Sequence, residues 1–229
     1  MKIVVDPICC FAEMGNTISK MSAEGYKNIM LLQADGGMDS GIHYKQRIDK
    51  ALSVAFQNGV QLFGGVFPEI FDRDSIMDQG CFLAGIHSDV HIIILENLST
   101  DDIVPQIEKG LAPIAAELER SHFKTLFVFG DGFGGNNLHL INGIKQIVRK
   151  YPLRVIGGMT GRKMIKVSSP TVFTPQGIIQ NGAVLVFTKV VSSLGVRHGW
   201  EPFEGSKIEI TQTNGCFVER LNGMLAFDR

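Results

Sequence analysis

The chain has 229 residues, 45% of them hydrophobic, with 15 Phe and a formal net charge of −1. That composition provides for a sizeable core, and the balanced charge, with no long block of one sign, argues against a nucleic-acid surface. No window approaches ~18 consecutive apolar residues, so no membrane span is expected; Asp6-Pro7 interrupts the N-terminus before a secretory apolar core develops, making the cytoplasm the expected compartment.

In chain order, Ile3 to Val5 reads as a short strand, and Met14, Ile18 and Met21 as the stripe of a helix stopped by Gly25. Lys27 to Leu32 is a strand ending in Gln33-Ala34-Asp35-Gly36-Gly37. The spacing predicts a helix from Tyr44 to Asn58, with Tyr44, Ile48, Ala51, Leu52 and Ala55 on one face and Gly59 closing it. Val60 to Phe63 is a strand running into a Gly64-Gly65 corner. Cys81 to Ile86 and His91 to Leu95 read as a strand pair linked by the polar tip His87-Ser88-Asp89.

Ser99-Thr100-Asp101-Asp102 starts a helix whose stripe is Ile103, Ile107, Leu111, Ile114 and Leu118, with Pro113 expected to kink or split it. Thr125 to Phe129 is a buried strand entering Gly130-Asp131-Gly132-Phe133-Gly134-Gly135, and a helix with Leu140, Ile141, Ile144, Ile147 and Val148 follows. Arg154 to Ile156 is a strand running into Gly157-Gly158, and Thr171 to Phe173 with Ala183 to Thr188 reads as a hairpin around Gln176-Gly177. The order strand, Gly-rich turn, helix, strand, Gly-Gly, strand pair therefore occurs twice, over about 27–95 and 125–190, with a closing segment 193–229. The expectation is one α/β (α+β) domain over 1–229: two related β-α-β-β units packed sheet on sheet with helices outside, an αββα arrangement.

Catalytic patterns are missing. Asp131 stands in a glycine-rich turn, but no Gly-Lys-Ser/Thr holds phosphates, and the competing reading is an Asp accepting backbone N–H bonds. No Gly-x-Ser-x-Gly occurs, and Asp72, Asp74 and Asp78 read as a solvated loop rather than an acid–base pair. The six histidines form no His-x-x-x-His or His/carboxylate cluster, and Cys9, Cys10, Cys81 and Cys216 lack zinc-site spacing, so neither a metal nor an enzymatic constellation is expected.

A binding site fits better, since small-molecule clefts are apolar with a few orienting polar groups. Gly64, Gly65, Gly157, Gly158, Arg197, His198 and the lone Trp200 are candidates to line one, with Asp131 as a further contact. Arg197 would take a carboxylate and Trp200 an apolar or cationic face; the competing reading is a buried Trp beside a core His.

Gly195-Val196-Arg197-His198-Gly199-Trp200, Ile208-Glu209-Ile210-Thr211 and Glu219-Arg220-Leu221-Asn222-Gly223-Met224-Leu225-Ala226 together resemble the closing signature of the FIST N-terminal domain. Phe63-Gly64-Gly65-Val66-Phe67-Pro68-Glu69-Ile70, Phe127-Val128-Phe129-Gly130-Asp131-Gly132 and Val155-Ile156-Gly157-Gly158 resemble the same family, so the likeness runs along almost the whole chain in order. One departure is Met159-Thr160-Gly161-Arg162, where the family carries small residues. The resemblance implies an intracellular, non-catalytic sensory domain for small ligands such as amino acids, joined in other members to a C-terminal partner domain or acting on a signalling protein. It also implies an alternative, a haem-based nitric-oxide sensor with His198 as axial ligand, and the sequence leaves open a third, a protein-interaction module with no small ligand.

Overall fold

In the computed structural model, residues 2–6, 11–35, 41–72, 75–100, 102–134, 137–163, 169–195, 205, 207–214 and 217–227 are described. Cys9, Cys10, Gly36, Gly37, Gly135, Cys216 and the candidates Arg197, His198 and Trp200 lie outside them, as does the Tyr44 side chain. The chain forms two compact units, Met1–Leu194 and Gly195–Arg229.

The first unit passes twice through one element order. The first pass is β1 (Lys2–Asp6), α1 (Phe11–Ala23), β2 (Asn28–Ala34), α2 (Gly41–Gln57), β3 (Gln61–Phe67), the short hairpin β4 (Ile70–Asp72) and β5 (Ser75–Met77), and β6 (Cys81–Ile86). The second is β7 (Val90–Leu95), α3 (Ile103–Leu111), a 3-10 turn (Ala112–Ile114) into α4 (Ala115–Glu119), β8 (Thr125–Asp131), α5 (Asn137–Lys150), β9 (Arg154–Thr160), the hairpin β10 (Val172–Thr174) and β11 (Gly177–Ile179), and β12 (Ala183–Thr188). Pro113 sits in the 3-10 turn and splits the helix as its missing N–H requires.

The sheets repeat this order. One runs β1-β6-β2-β3-β10-β11 and the other β7-β12-β8-β9. In both, the first three strands pair antiparallel in succession and the fourth joins in parallel, with Leu31 opposite Gly64 and Val128 opposite Gly157. The topological repeat spans 2–86 and 90–188, beginning one strand and one helix before the repeat legible in the sequence. Two sequence expectations change accordingly. β6 and β7 are not a hairpin: His87-Ser88-Asp89 carries the chain from the first sheet into the second. The hairpin around Gln176-Gly177 is β10–β11, and β12 leaves it to lie between β7 and β8. Both strands of each supposed pair are apolar, and apolarity fixes burial without naming a neighbour.

Three layers of side chains hold the unit. Met14, Ile18, Met21, Ile48, Ala51 and Ala55 from α1 and α2 pack on Ile29, Leu31, Leu62 and Leu83 of the first sheet. Ile107, Leu118, Leu140 and Ile147 do the same against Leu126, Val128, Leu185 and Phe187 of the second. Between the sheets lie Phe63, Ile86, Phe127, Phe129, Val172, Val184 and Val186, with Met30 and Leu32 beside them. Alternate residues of one strand therefore serve opposite layers, as the two-residue strand period requires. This is the expected αββα sandwich.

The second unit contains a three-stranded antiparallel meander, β13 (Ile210–Asn214), β14 (Phe217–Leu221) and β15 (Met224–Leu225). Asn222 Oδ1 accepts from the Glu209 N–H at 2.7 Å, and Thr211 Oγ1 from that of Gly223 at 2.9 Å, fixing the β14–β15 turn. Ile208, Ile210, Phe217, Met224, Leu225 and Phe227 are all exposed. Among the described residues, no helix is long and apolar enough to cross a membrane.

Candidate functional site

The glycine pairs lie inside strands rather than at corners. Gly64 has φ +138° and Gly157 +155°, values that L side chains rarely adopt. A Cβ would stand 2.0 Å from the Leu31 carbonyl oxygen at Gly64 and 1.8 Å from that of Val128 at Gly157. The first glycine of each pair is thus required by its neighbouring strand. The second differs between the sheets. A Cβ at Gly65 would meet Thr160 Cγ2 at 2.3 Å, whereas nothing lies within 4 Å of one at Gly158.

Gly158 faces a cleft of about 360 Å³ in the first unit. Met30, Leu32, Phe67 and Phe82 line it from the first sheet, and Phe127, Phe129, Ile156, Gly157 and Gly158 from the second. Ile70 and Phe71 of β4 and the carboxylate-bearing Glu69 complete the lining. Phe67 and Phe129 meet edge to face with centroids 6.3 Å apart, a favourable ring geometry that fixes one wall. Gly64 and Gly65 are not among its lining residues, and β10 covers their strand edge.

The rim is held by charges. Glu69 Oε1 and Lys163 Nζ are 2.9 Å apart, both partly exposed. Hydrogen bonding to Glu69, the largest cause, raises the Lys163 pKa above its ordinary value against an opposing desolvation effect. The Lys163 N–H donates to Asp35 Oδ2 at 2.9 Å and Arg162 Nε to Asp35 Oδ1 at 2.5 Å. Thr160 Oγ1 donates to the Gly130 carbonyl at 3.1 Å and lies 2.7 Å from Thr171 Oγ1. The Met159-Thr160-Gly161-Arg162 run, where larger residues replace small ones, is therefore a clasp between strand ends.

Asp131 is buried away from the cleft. Its Oδ1 accepts from the Phe133 N–H at 3.0 Å and its Oδ2 from that of Asn181 at 2.6 Å, so the carboxylate ties the β8 turn to the β12 approach. This is the turn role that competed with the ligand-contact reading. Of the predicted candidates the structure brings Gly157 and Gly158 to one cleft. Sequence reasoning did not single out Glu69, Phe67, Phe127, Phe129 or Ile156. Glu69 carried a signal, as the one charge in the motif Phe63 to Ile70.

A second recess, of about 310 Å³, lies in the helical layer between α3 and α5, with Glu108, Lys150 and Tyr151 on its lining and none of the predicted residues. Among the described residues, no group of three or more His, Cys, Asp or Glu is placed to hold a metal ion. Among the described residues lining the cleft there is no histidine or cysteine, and His198, the axial ligand of the haem alternative, lies outside the described residues.

With fold and cleft described, the class is a duplicated αββα sandwich with a ligand-sized gap between its sheets. The family model of the FIST N domain matches residues 40–224, and the chain belongs to that family, a family of sensory domains. No curated protein matches the chain.

Proposed function

We propose that this FIST N domain is a non-catalytic, intracellular sensor whose small-molecule ligand sits in the inter-sheet cleft. The observation that carries this reading is the cleft itself: rings and aliphatic side chains of both sheets around the bare backbone at Gly158, with one carboxylate on the lining. Apolar walls with a few orienting polar groups are the usual make-up of a small-ligand site. Glu69, the one ionisable residue among the described lining residues, supports orientation of a ligand rather than a paired acid–base step. A compact zwitterionic metabolite with an apolar body, such as an apolar amino acid, matches this lining and the Glu69–Lys163 pair on its rim.

A thermal-shift screen of amino acids, small acids and amines tests it. Ligand should raise the melting temperature of wild type but not of Gly158→Leu, which fills the opening, and Glu69→Gln should weaken binding by roughly tenfold. Equal shifts in Gly158→Leu, or no shift with any compound, would overturn the reading.

A second reading rests on the meander. Phe217, Met224, Leu225 and Phe227 are each more than half exposed, although side chains of this kind usually find cover. Exposed on both sides of the meander, since Met224 and Leu225 are consecutive in β15, they suit a partner domain or a signalling protein. Replacing Phe217 and Phe227 by Ser should abolish partner capture without changing ligand shifts.

A further inference from the structure

Two equivalent hairpins behave differently. β4–β5 joins β3 to β6, and β10–β11 joins β9 to β12. Each consists of two three-residue strands with two residues between them in sequence. Their registers coincide: Ile70–Met77, Phe71–Ile76 and Asp72–Ser75 correspond to Val172–Ile179, Phe173–Ile178 and Thr174–Gly177. Ile-Phe-Asp thus stands where Val-Phe-Thr stands in the other repeat.

β10 lies antiparallel on β3, with Val172 opposite Gly65 and Phe173 opposite Gly64, and both apolar side chains are fully buried. The counterpart edge is that of β9 at Gly157 and Gly158. Among the described residues no strand pairs with it, and β4 and β5 pair only with each other. Phe71 is 75% exposed and Ile76 61%. Yet Ile70 and Phe71 line the same cleft as Gly157 and Gly158, so the hairpin and the open edge face each other.

We infer that the β4–β5 hairpin docks on the free edge of β9, with Ile70 opposite Gly158 and Phe71 opposite Gly157. The second sheet then has the order β7-β12-β8-β9-β4-β5, the image of β1-β6-β2-β3-β10-β11. The chain has the reach. The Gly161 N–H donates to the Val66 carbonyl at 2.8 Å, so β3 and β9 end side by side. Glu69 must then lie opposite Met159, three residues beyond Val66, a span of up to about 10 Å. Docking would cover Phe71 on the outer face, as Phe173 is covered among α1 and α2. Because β11 packs beside α2, Ile76 of β5 would come to lie beside α5, where Ile141 is exposed. Pro68 stands at the position of Gly161 and has no N–H to donate to the other repeat, so the hairpin lacks that tie to β9; its Ile70 and Met77 pack instead on Ala34, Leu32, Phe67 and Phe82.

Docking also regulates the cleft. Ile70 would enter the inter-sheet layer as Val172 does, in the space assigned to the ligand, so hairpin and ligand compete; this second part rests on the proposed function. The test is the full-length double variant Ile70→Cys/Gly158→Cys, with Ile70→Cys/Met77→Cys as a control for hairpin formation and thiol reactivity. Mild oxidation followed by peptide mass spectrometry should find the 70–158 disulfide within one chain. Phe71→Asp should slow its formation by about tenfold or more, since docking would bury the carboxylate. A 70–77 disulfide with no 70–158 product, or a 70–158 product found only between chains, overturns the inference. Ile76 lies outside the cleft lining, and Ile76→Asp should weaken docking and tighten binding of a ligand from the screen by severalfold. Unchanged affinity in Ile76→Asp overturns the competition, whereas crosslinking with no ligand bound by wild type removes the cleft reading and leaves docking standing.

Discussion

Arg162 donates through Nε to Asp35 Oδ1 over 2.5 Å, joining the exit of β9 in one sheet to the exit of β2 in the other. The Asp35 side chain is fully buried and that of Arg162 is 10% exposed. Removing one partner of such a pair leaves an uncompensated buried charge. Arg162→Met should therefore destabilise the protein by about 3 kcal/mol, the lower end of the usual range, because the Lys163 N–H still serves Asp35. Urea denaturation measures this, and adding Asp35→Asn should recover part of the loss. An unchanged midpoint in Arg162→Met would show that the pair does not hold the sheets together.

Three of the four paired strand glycines should respond unequally to one methyl group. Gly64→Ala and Gly157→Ala drive a Cβ into a neighbouring carbonyl oxygen at an unfavourable φ, and each should cost about 3 kcal/mol or more. Gly158→Ala adds its methyl to open space and should stay within about 0.5 kcal/mol of wild type. Denaturation midpoints of the three variants decide it; equal losses would mean that the strands adapt to a side chain at either position.

Lys163 supplies a pH signature. Glu69 raises its folded-state pKa above the unfolded value. The contribution of the pair is therefore complete below the unfolded-state lysine value, about 10.4, and is lost as pH rises through the higher folded value. Melting temperature should fall more steeply above about pH 10 in wild type than in Lys163→Gln. Parallel curves would show that the rim pair carries no stability.

Much of the first unit was legible because its helices advertise themselves. Met14, Ile18 and Met21 recur at helical spacing and are buried, and Ile48, Ala51 and Ala55 likewise. The repeat was legible for the same reason, each glycine pair closing a strand, helix, strand run. The assignment of strands to sheets was not. Val184 and Val186 face one layer, and Leu185 and Phe187 another, so β12 is apolar throughout and its sequence names no partner. The cleft was half legible. Gly157 and Gly158 were found by composition, but Glu69 and Lys163 meet only through the fold, and Phe127 and Phe129 read as ordinary core. Gly64 and Gly65 match the other pair in sequence, yet β10 covers their strand edge, which only pairing across the repeats reveals.

The position of β12 has a consequence for biosynthesis. It is the last strand of the first unit to emerge from the ribosome, yet it lies between β7 and β8, which do not pair with each other. Until Ala183–Thr188 arrive, two apolar ribbons wait in the nascent chain without a common neighbour, and premature termination shortly before Ala183 would strand them. Fragments ending there should become chaperone clients, while those reaching Thr188 can close the sheet.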